Sequence, residues 1–167
     1  MTPGTAIAFL PFAGAIALLV AWSDMSAMKI RNTACIAMFM VWVIIGPFAV
    51  MLTDLPLQDW LWGFALAGMT LVAGFIANAV RLVGGGDSKY AAAIAPFFIG
   101  ADPRWVVTLF AACLLGAFVT HRVFKLIPIL RGWSPDWESW RRKDFPMGLA
   151  LSGTLVFHLL FTIWRSI

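Results

Sequence analysis

The sequence predicts an all-α membrane protein, and two observations predict it: its composition and the number of its long apolar stretches. Of the 167 residues, 62% are hydrophobic and 12% are charged, whereas soluble domains carry about 25% charged residues. Too little polar surface remains to cover a water-soluble globule. The two cysteines are too few for a disulfide scaffold, and they show no ligand spacing to the two histidines, so no metal site is expected.

Six apolar stretches are candidates for membrane-spanning helices, each of which needs about 20 apolar residues. They are 5–22, 33–52, 60–80, 90–101, 105–120 and 147–164. The fourth and fifth are short for a span. The first lacks a preceding basic residue, so we expect a retained helix and not a secretory signal. The whole chain, residues 1–167, is then expected to be one membrane-embedded domain of six transmembrane helices.

The basic residues predict the orientation of these helices. Of the 12 lysines and arginines, all except Arg104 and Arg165 follow the first, third or fifth span. The positive-inside rule places these segments in the cytoplasm, so both termini are predicted to lie outside (N-out/C-out). Because the charges lie between apolar stretches and form no single patch, nucleic acid is not expected as a partner.

A short amphipathic helix is predicted between the fifth and sixth spans. Residues 134–136 (Ser-Pro-Asp) are a typical helix start, and the basic residues 141–143 suit a helix end. We expect this helix to lie in the cytoplasmic interface, either as a lipid anchor or as a guide for a basic or membrane-bound substrate. Three tryptophans recur at helical spacing and would form its apolar face: Trp133, Trp137 and Trp140.

Two aspartates, Asp24 and Asp87, are predicted to lie at the cytoplasmic ends of the first and fourth spans. An ionised residue at membrane depth costs roughly 2.5–3.5 kcal/mol on insertion scales and usually faces the bundle interior. Alanines recur at helical spacing before Asp24 and after Asp87, and small residues permit close helix packing. We therefore expect the two carboxyl groups to meet across the bundle.

Three consecutive glycines, residues 84–86, precede Asp87. Their ordinary interpretation is a flexible hairpin between two helices. Beside a submerged carboxylate, bare backbone of this kind instead favours a place where an extended peptide is held.

Three stretches of the chain resemble the type IV prepilin peptidases, a branch of the GxGD membrane aspartic proteases. Residues 84–89, Gly-Gly-Gly-Asp-Ser-Lys, are similar to the family motif G-x-G-D-x-K. Residues 30–32, Ile-Arg-Asn, resemble the Ile-Pro-Asn that follows the first catalytic aspartate, with arginine in place of proline. Residues 145–150 resemble the family's Ile-Pro-aromatic-Gly-x-Ala stretch at the start of the last helix. The three stretches occur in the family's order.

The resemblance implies an aspartic endopeptidase in which Asp24 and Asp87 are catalytic. Its expected activity is removal of the short basic leader from a prepilin, at the cytoplasmic face of the inner membrane. The chain is similar to the short, peptidase-only form of Tad/Flp pilus systems and to archaeal preflagellin peptidases, so neither a methyltransferase function nor a cofactor is expected. Four residues are expected to bind substrate or to support the site: Gly84, Gly86, Lys89 and Asn32.

The expected partners are the lipid bilayer and a prepilin with a basic leader and an apolar helix, while a pilus assembly complex and a homo-oligomer stay open. Two close carboxyl groups in a low-dielectric site share one proton, which is the state that amide hydrolysis needs. Lys89 either acts on this pair or is only an interfacial cation. Two other functions stay open: a small proton or cation transporter subunit, and a non-catalytic scaffold of pilus assembly.

Overall fold

The computed structural model describes residues 1–132, 134–142 and 144–165, and this part of the chain is helical without a β-strand. The predicted all-α fold class is therefore confirmed. The elements in chain order are α1 (Pro3–Ala27), α2 (Asn32–Leu52), α3 (Leu57–Ala79), α4 (Gly85–Ile94), a 3-10 turn (Ala95–Phe98), α5 (Pro103–Leu126), α6 (Pro128–Gly132), α7 (Glu138–Arg141) and α8 (Met147–Trp164).

Within the described residues, five helices are long and apolar enough to cross a membrane: α1, α2, α3, α5 and α8. The chain is thus a polytopic helical membrane protein, but the predicted count of six spans is not supported. The fourth predicted span, 90–101, is divided between α4 and the 3-10 turn. Its α-helix ends before Pro96, because proline lacks the N–H that a continuing helix requires. Helix α5 has 24 residues and is therefore longer than the fifth predicted span, 105–120.

Helix α1 lies at the centre of the bundle, where it packs against α8, α2 and α7. Its stripe of small residues is the packing face, because Ala13 and Ala17 are fully buried. Phe9 extends this face: its ring stacks on Trp42 of α2 and meets the edge of Phe97, each at 5.2 Å between centroids. The alanine pattern therefore correctly indicated the face through which helices approach.

Helix α4 is inserted among α2, α3 and α8. Tyr90 is fully buried there, and its hydroxyl lies 3.1 Å from the Ser152 hydroxyl of α8 in a hydrogen bond. On the other side, Ser88 Oγ donates to Gly74 O of α3 at 2.9 Å. These polar contacts hold the start of α4 against two neighbouring helices.

Among its described residues, the segment between α5 and α8 forms two short helices, α6 and α7, and not the one amphipathic helix that was predicted. Ser134 caps no helix; instead its carbonyl oxygen accepts a hydrogen bond from Trp140 Nε1 at 2.8 Å. The Trp140 ring stacks on His121 of α5 at 5.2 Å, and Trp137 packs against Trp22 of α1 at 5.1 Å. The aromatic side chains cover the bundle because burial against α1 and α5 outweighs the local helix signal.

Two residues of that predicted helix, Trp133 and Lys143, lie outside the described residues. Of its predicted basic end, Arg142 forms an ion pair with Glu138 at 3.3 Å. Helix α7 itself contains only four residues, Glu138–Arg141.

Candidate active site

Asp24 lies in the last turn of α1 and is only 5% exposed. Its Oδ2 accepts a hydrogen bond of 2.7 Å from the backbone N–H of Gly148. Gly148 is the second residue of α8, where N–H groups have no partner inside the helix and the helix dipole favours negative charge. The N-terminus of α8 therefore holds the Asp24 carboxyl group in place.

Gly148 allows this contact because it has no side chain. A Cβ atom at this position would lie 2.9 Å from Asp24 Oδ2 and 2.9 Å from Ile30 Cδ1. The sequence reasoning noticed the stretch 145–150 but missed the function of this N–H group. The available signal was a glycine two residues after Pro146, in the first turn of a helix, where backbone N–H groups are free.

Asp87 is the third residue of α4 and is half-buried. Its carboxyl group accepts a hydrogen bond from the backbone of Gly84, which is the N-cap residue of the same helix. This is the local half of a capping box, in which the third side chain reaches back to the N-cap N–H group. A Cβ atom on Gly84 would lie 2.5 Å from Asp87 Oδ2, so the carboxyl group needs glycine there.

The two carboxyl groups lie at the same end of the bundle, in the last turn of α1 and the first turn of α4. Helix α8 brings them together, because it packs against both α1 and α4. Ile30, in the turn after α1, is buried between the two sites. It lies against Gly148 on one side, and on the other its Cβ is 3.5 Å from where a Cβ of Gly86 would stand.

The four expected supporting residues fall into two groups. Lys89 and Asn32 are brought together with each other: Lys89 Nζ donates to Asn32 Oδ1 at 3.2 Å, on an exposed surface that joins α4 to α2. Gly84 and Gly86 differ in their surroundings, since a Cβ on Gly86 would make only an ordinary contact with Ile30. Gly84 thus touches the Asp87 carboxyl group, whereas Gly86 does not crowd it.

Ser88 is a further residue of the site that the sequence reasoning missed. Its side chain is buried, and its Oγ lies 2.9 Å from Gly74 O and 3.1 Å from Gly84 O. A Cβ on Gly74 would come within 2.8 Å of the Ser88 Cβ. The close packing of α3 on α4 at this point sets the position of the turn that carries Asp87.

An apolar cavity of about 700 Å³ begins at Asp87 and extends between α3, α5 and α8. Among the described residues that line it, Asp87 is the one that carries a charge. Asp24 does not line this cavity and stays in the interior of the bundle. The two carboxyl groups therefore differ in access: Asp87 faces an open apolar space, and Asp24 is enclosed.

Comparison with known proteins adds one match to this geometry. The family model described as the type IV leader peptidase family matches residues 12–121, more than half of the chain, and the matched range contains both Asp24 and Asp87. No curated protein and no solved structure matches the chain. By the extent of that match, the chain belongs to the type IV leader peptidase family, a family of membrane proteases that act on prepilins.

Proposed function

We propose that this protein is an aspartic endopeptidase that removes the short basic leader from Flp-like type IV prepilins at the cytoplasmic face of the inner membrane. Asp24 and Asp87 are its catalytic pair. The observation that carries the proposal is that both carboxyl groups lie at one end of the bundle, each held by a backbone N–H group. Membership of the leader peptidase family supports the substrate class.

The backbone contacts suit the chemistry. In each aspartate the hydrogen bond with Gly148 or Gly84 fixes the orientation of the carboxyl group and leaves acceptor capacity for a water molecule. The ionised carboxyl group takes a proton from this water as the water oxygen attacks the scissile carbonyl carbon. The protonated carboxyl group gives its proton to the carbonyl oxygen.

The second half of the reaction breaks the C–N bond. The tetrahedral intermediate loses a hydroxyl proton to one carboxyl group, and the leaving nitrogen receives a proton from the other. The pair ends in its starting protonation state. The two aspartates titrate as one coupled unit, so the mechanism does not require one fixed acid and one fixed base.

In the proposed topology both termini lie outside, and α4 with the 3-10 turn is the sixth membrane element. This element is short for a span, but it packs against α2, α3 and α8, and irregular or short backbone is tolerated at membrane depth where protein surrounds it. The helices of the described residues form one peptidase domain. Its substrate is a prepilin whose basic leader precedes an apolar helix.

The test is processing of a prepilin by the protein in liposomes, with intact mass of the product as the readout. Asp24→Asn and Asp87→Asn should each reduce cleavage by at least about a thousandfold, since each removes a proton-transfer group. Asp54→Asn is the matched control, because Asp54 is exposed and lies between α2 and α3. Normal cleavage by both site variants, with insertion verified, would disprove the assigned pair.

A further inference from the structure

We infer that the apolar cavity beginning at Asp87 is the docking groove for the apolar helix of the substrate, an inference that rests on the proposed function. We name this cavity, of about 700 Å³, the lateral groove. It extends from Asp87 at one end to Gly100 and Ala101 at the other. The helix would lie along the groove with its first residues beside the carboxyl pair.

The walls of the lateral groove are α3 and α5, which pack on different helices of the bundle. Leu66 and Ala73 line it from α3, and Val107 and Phe110 line it from α5. Helix α3 packs on α4 and the 3-10 turn, whereas α5 packs on α8. Helices α3 and α5 are the least buried of the five long helices, since 11% and 6% of the residues in their most apolar stretches are buried. The groove is therefore accessible sideways from the bilayer.

The length of the groove suits a helix. Its floor extends from Asp87 through the rest of α4 and the 3-10 turn, which is about 20 Å. An α-helical segment of about 13 residues has this length. A substrate helix that begins at Asp87 would thus be accompanied along the groove for about three to four turns.

The polar groups of the groove are already satisfied within the protein. Thr70 Oγ1 donates to Leu66 O at 2.8 Å, and Thr154 Oγ1 donates to Ala150 O at 2.8 Å. Ser88 Oγ donates to backbone oxygen in the same way. Because these three hydroxyl groups have partners, an apolar occupant would leave none of them without a hydrogen bond.

Two features favour a peptide helix over a lipid chain as the occupant. The groove is lined by small residues on α3, α4 and the 3-10 turn, which allow close approach of a second helix backbone: Ala73, Gly74, Ala77, Ala91 and Ala95. Asp87, which is the single charged residue among the described residues of its lining, lies at one end. This pattern is complementary to a segment that is basic first and apolar afterwards, with the junction beside the carboxyl pair.

A bulky residue in the groove should separate docking from chemistry. Ala73 is exposed and lines the groove, so Ala73→Phe fills it without entering the core; Val72, 61% exposed on α3 and outside the groove, provides the control Val72→Phe. In liposomes, Ala73→Phe should lower kcat/KM for the helix-bearing precursor at least about tenfold, and Val72→Phe less than about twofold. A peptide that keeps the scissile bond but lacks all except the first turn of the helix should be cleaved poorly, at a rate that Ala73→Phe does not lower further.

The outcomes separate this inference from the function on which it rests. Equal kcat/KM for Ala73→Phe and Val72→Phe on the precursor would overturn the docking groove and leave the peptidase intact. If the wild-type protein cleaves neither substrate, the proposed function fails and the inference fails with it.

A photo-crosslinking measurement keeps the test valid if Ala73→Phe does not fold. A benzophenone amino acid at Val107, 67% exposed on the groove side of α5, should crosslink to the precursor helix. The same probe at Leu115, 64% exposed on α5 and outside the groove, should not. Crosslinks to lipid alone at Val107, in the presence of precursor, would overturn the inference.

Discussion

The two candidate catalytic aspartates are held in different ways. Asp24 is enclosed in the bundle, and its backbone partner Gly148 lies 124 residues further along the chain. Asp87 is half-buried, and its partner Gly84 belongs to the same helix start. Asp24 lies at the unfavourable C-terminal end of its own helix and needs the N-terminus of another, whereas Asp87 already lies at the favourable end of its own.

The two aspartates thus differ in what positions them: a distant helix positions Asp24, and the adjoining turn positions Asp87. The orientation of the Asp87 carboxyl group follows from a local turn, so it should depend less on how α8 docks against α1. The geometry of Asp24 depends on the docking of α8 against α1, so it should respond to any change at that contact. Two substitutions with matched controls test this contrast, and a third tests the exposed surface beside Asp87.

The largest effect is expected at the long-range contact. In Gly148→Ala the new Cβ would lie 2.9 Å from Asp24 Oδ2 and from Ile30 Cδ1, and displacing a reacting group by about 1 Å costs about a hundredfold in rate. We expect kcat on a prepilin to fall by about this factor. The control is Gly153→Ala in the same helix, where the nearest atom, Cys113 Sγ, is 3.8 Å away. Equal rates for the two variants would show that Asp24 does not depend on the α8 contact.

A smaller loss is expected at the local contact. Gly84→Ala places a Cβ 2.5 Å from Asp87 Oδ2, but this carboxyl group is half-buried and can rotate away, so we expect about a tenfold fall in kcat. Gly86→Ala is the control and should retain the wild-type rate, because its Cβ would meet only Ile30 at 3.5 Å. A greater loss for Gly86→Ala than for Gly84→Ala would contradict the capping geometry.

The smallest effect is expected at the exposed pair Lys89 and Asn32. Their hydrogen bond of 3.2 Å links α4 to α2 on the surface, and a single bond of this kind contributes about 0.5–1.5 kcal/mol. Lys89→Arg should therefore leave prepilin processing within about twofold of the wild-type rate. A large loss of kcat with unchanged thermal unfolding would instead indicate that the Lys89 ammonium group acts on the carboxyl pair.

Prediction of the fold succeeded where the signal was hydropathy over a long stretch. The last predicted span, residues 147–164, has the bounds of α8, and the second begins one residue after α2. The fourth was less well predicted because apolar residues continue through Pro96, where the α-helix has already ended. Hydropathy measures the tendency to leave water, and it does not register the loss of a backbone N–H group.

The segment between α5 and α8 was predicted wrongly for a related reason. Helical spacing of tryptophans is compatible with an amphipathic helix, but it does not exclude packing of the rings on the protein. Trp140 is 5% exposed, and it finds both a ring partner in His121 and an acceptor in Ser134. Neither partner is visible as a local pattern, because both are set by the way the chain folds back on the bundle.

By itself, the sequence determined the membrane class, the long helices and the local setting of Asp87, since hydropathy and helix capping act within one stretch of chain. Only the tertiary structure decided what holds Asp24 and what lies beside Asp87. The N–H of Gly148 and the lateral groove between α3 and α5 exist only once distant helices pack. A carboxyl group at the end of a helix is a local feature, but its partner is wherever packing brings an unpaired N–H group.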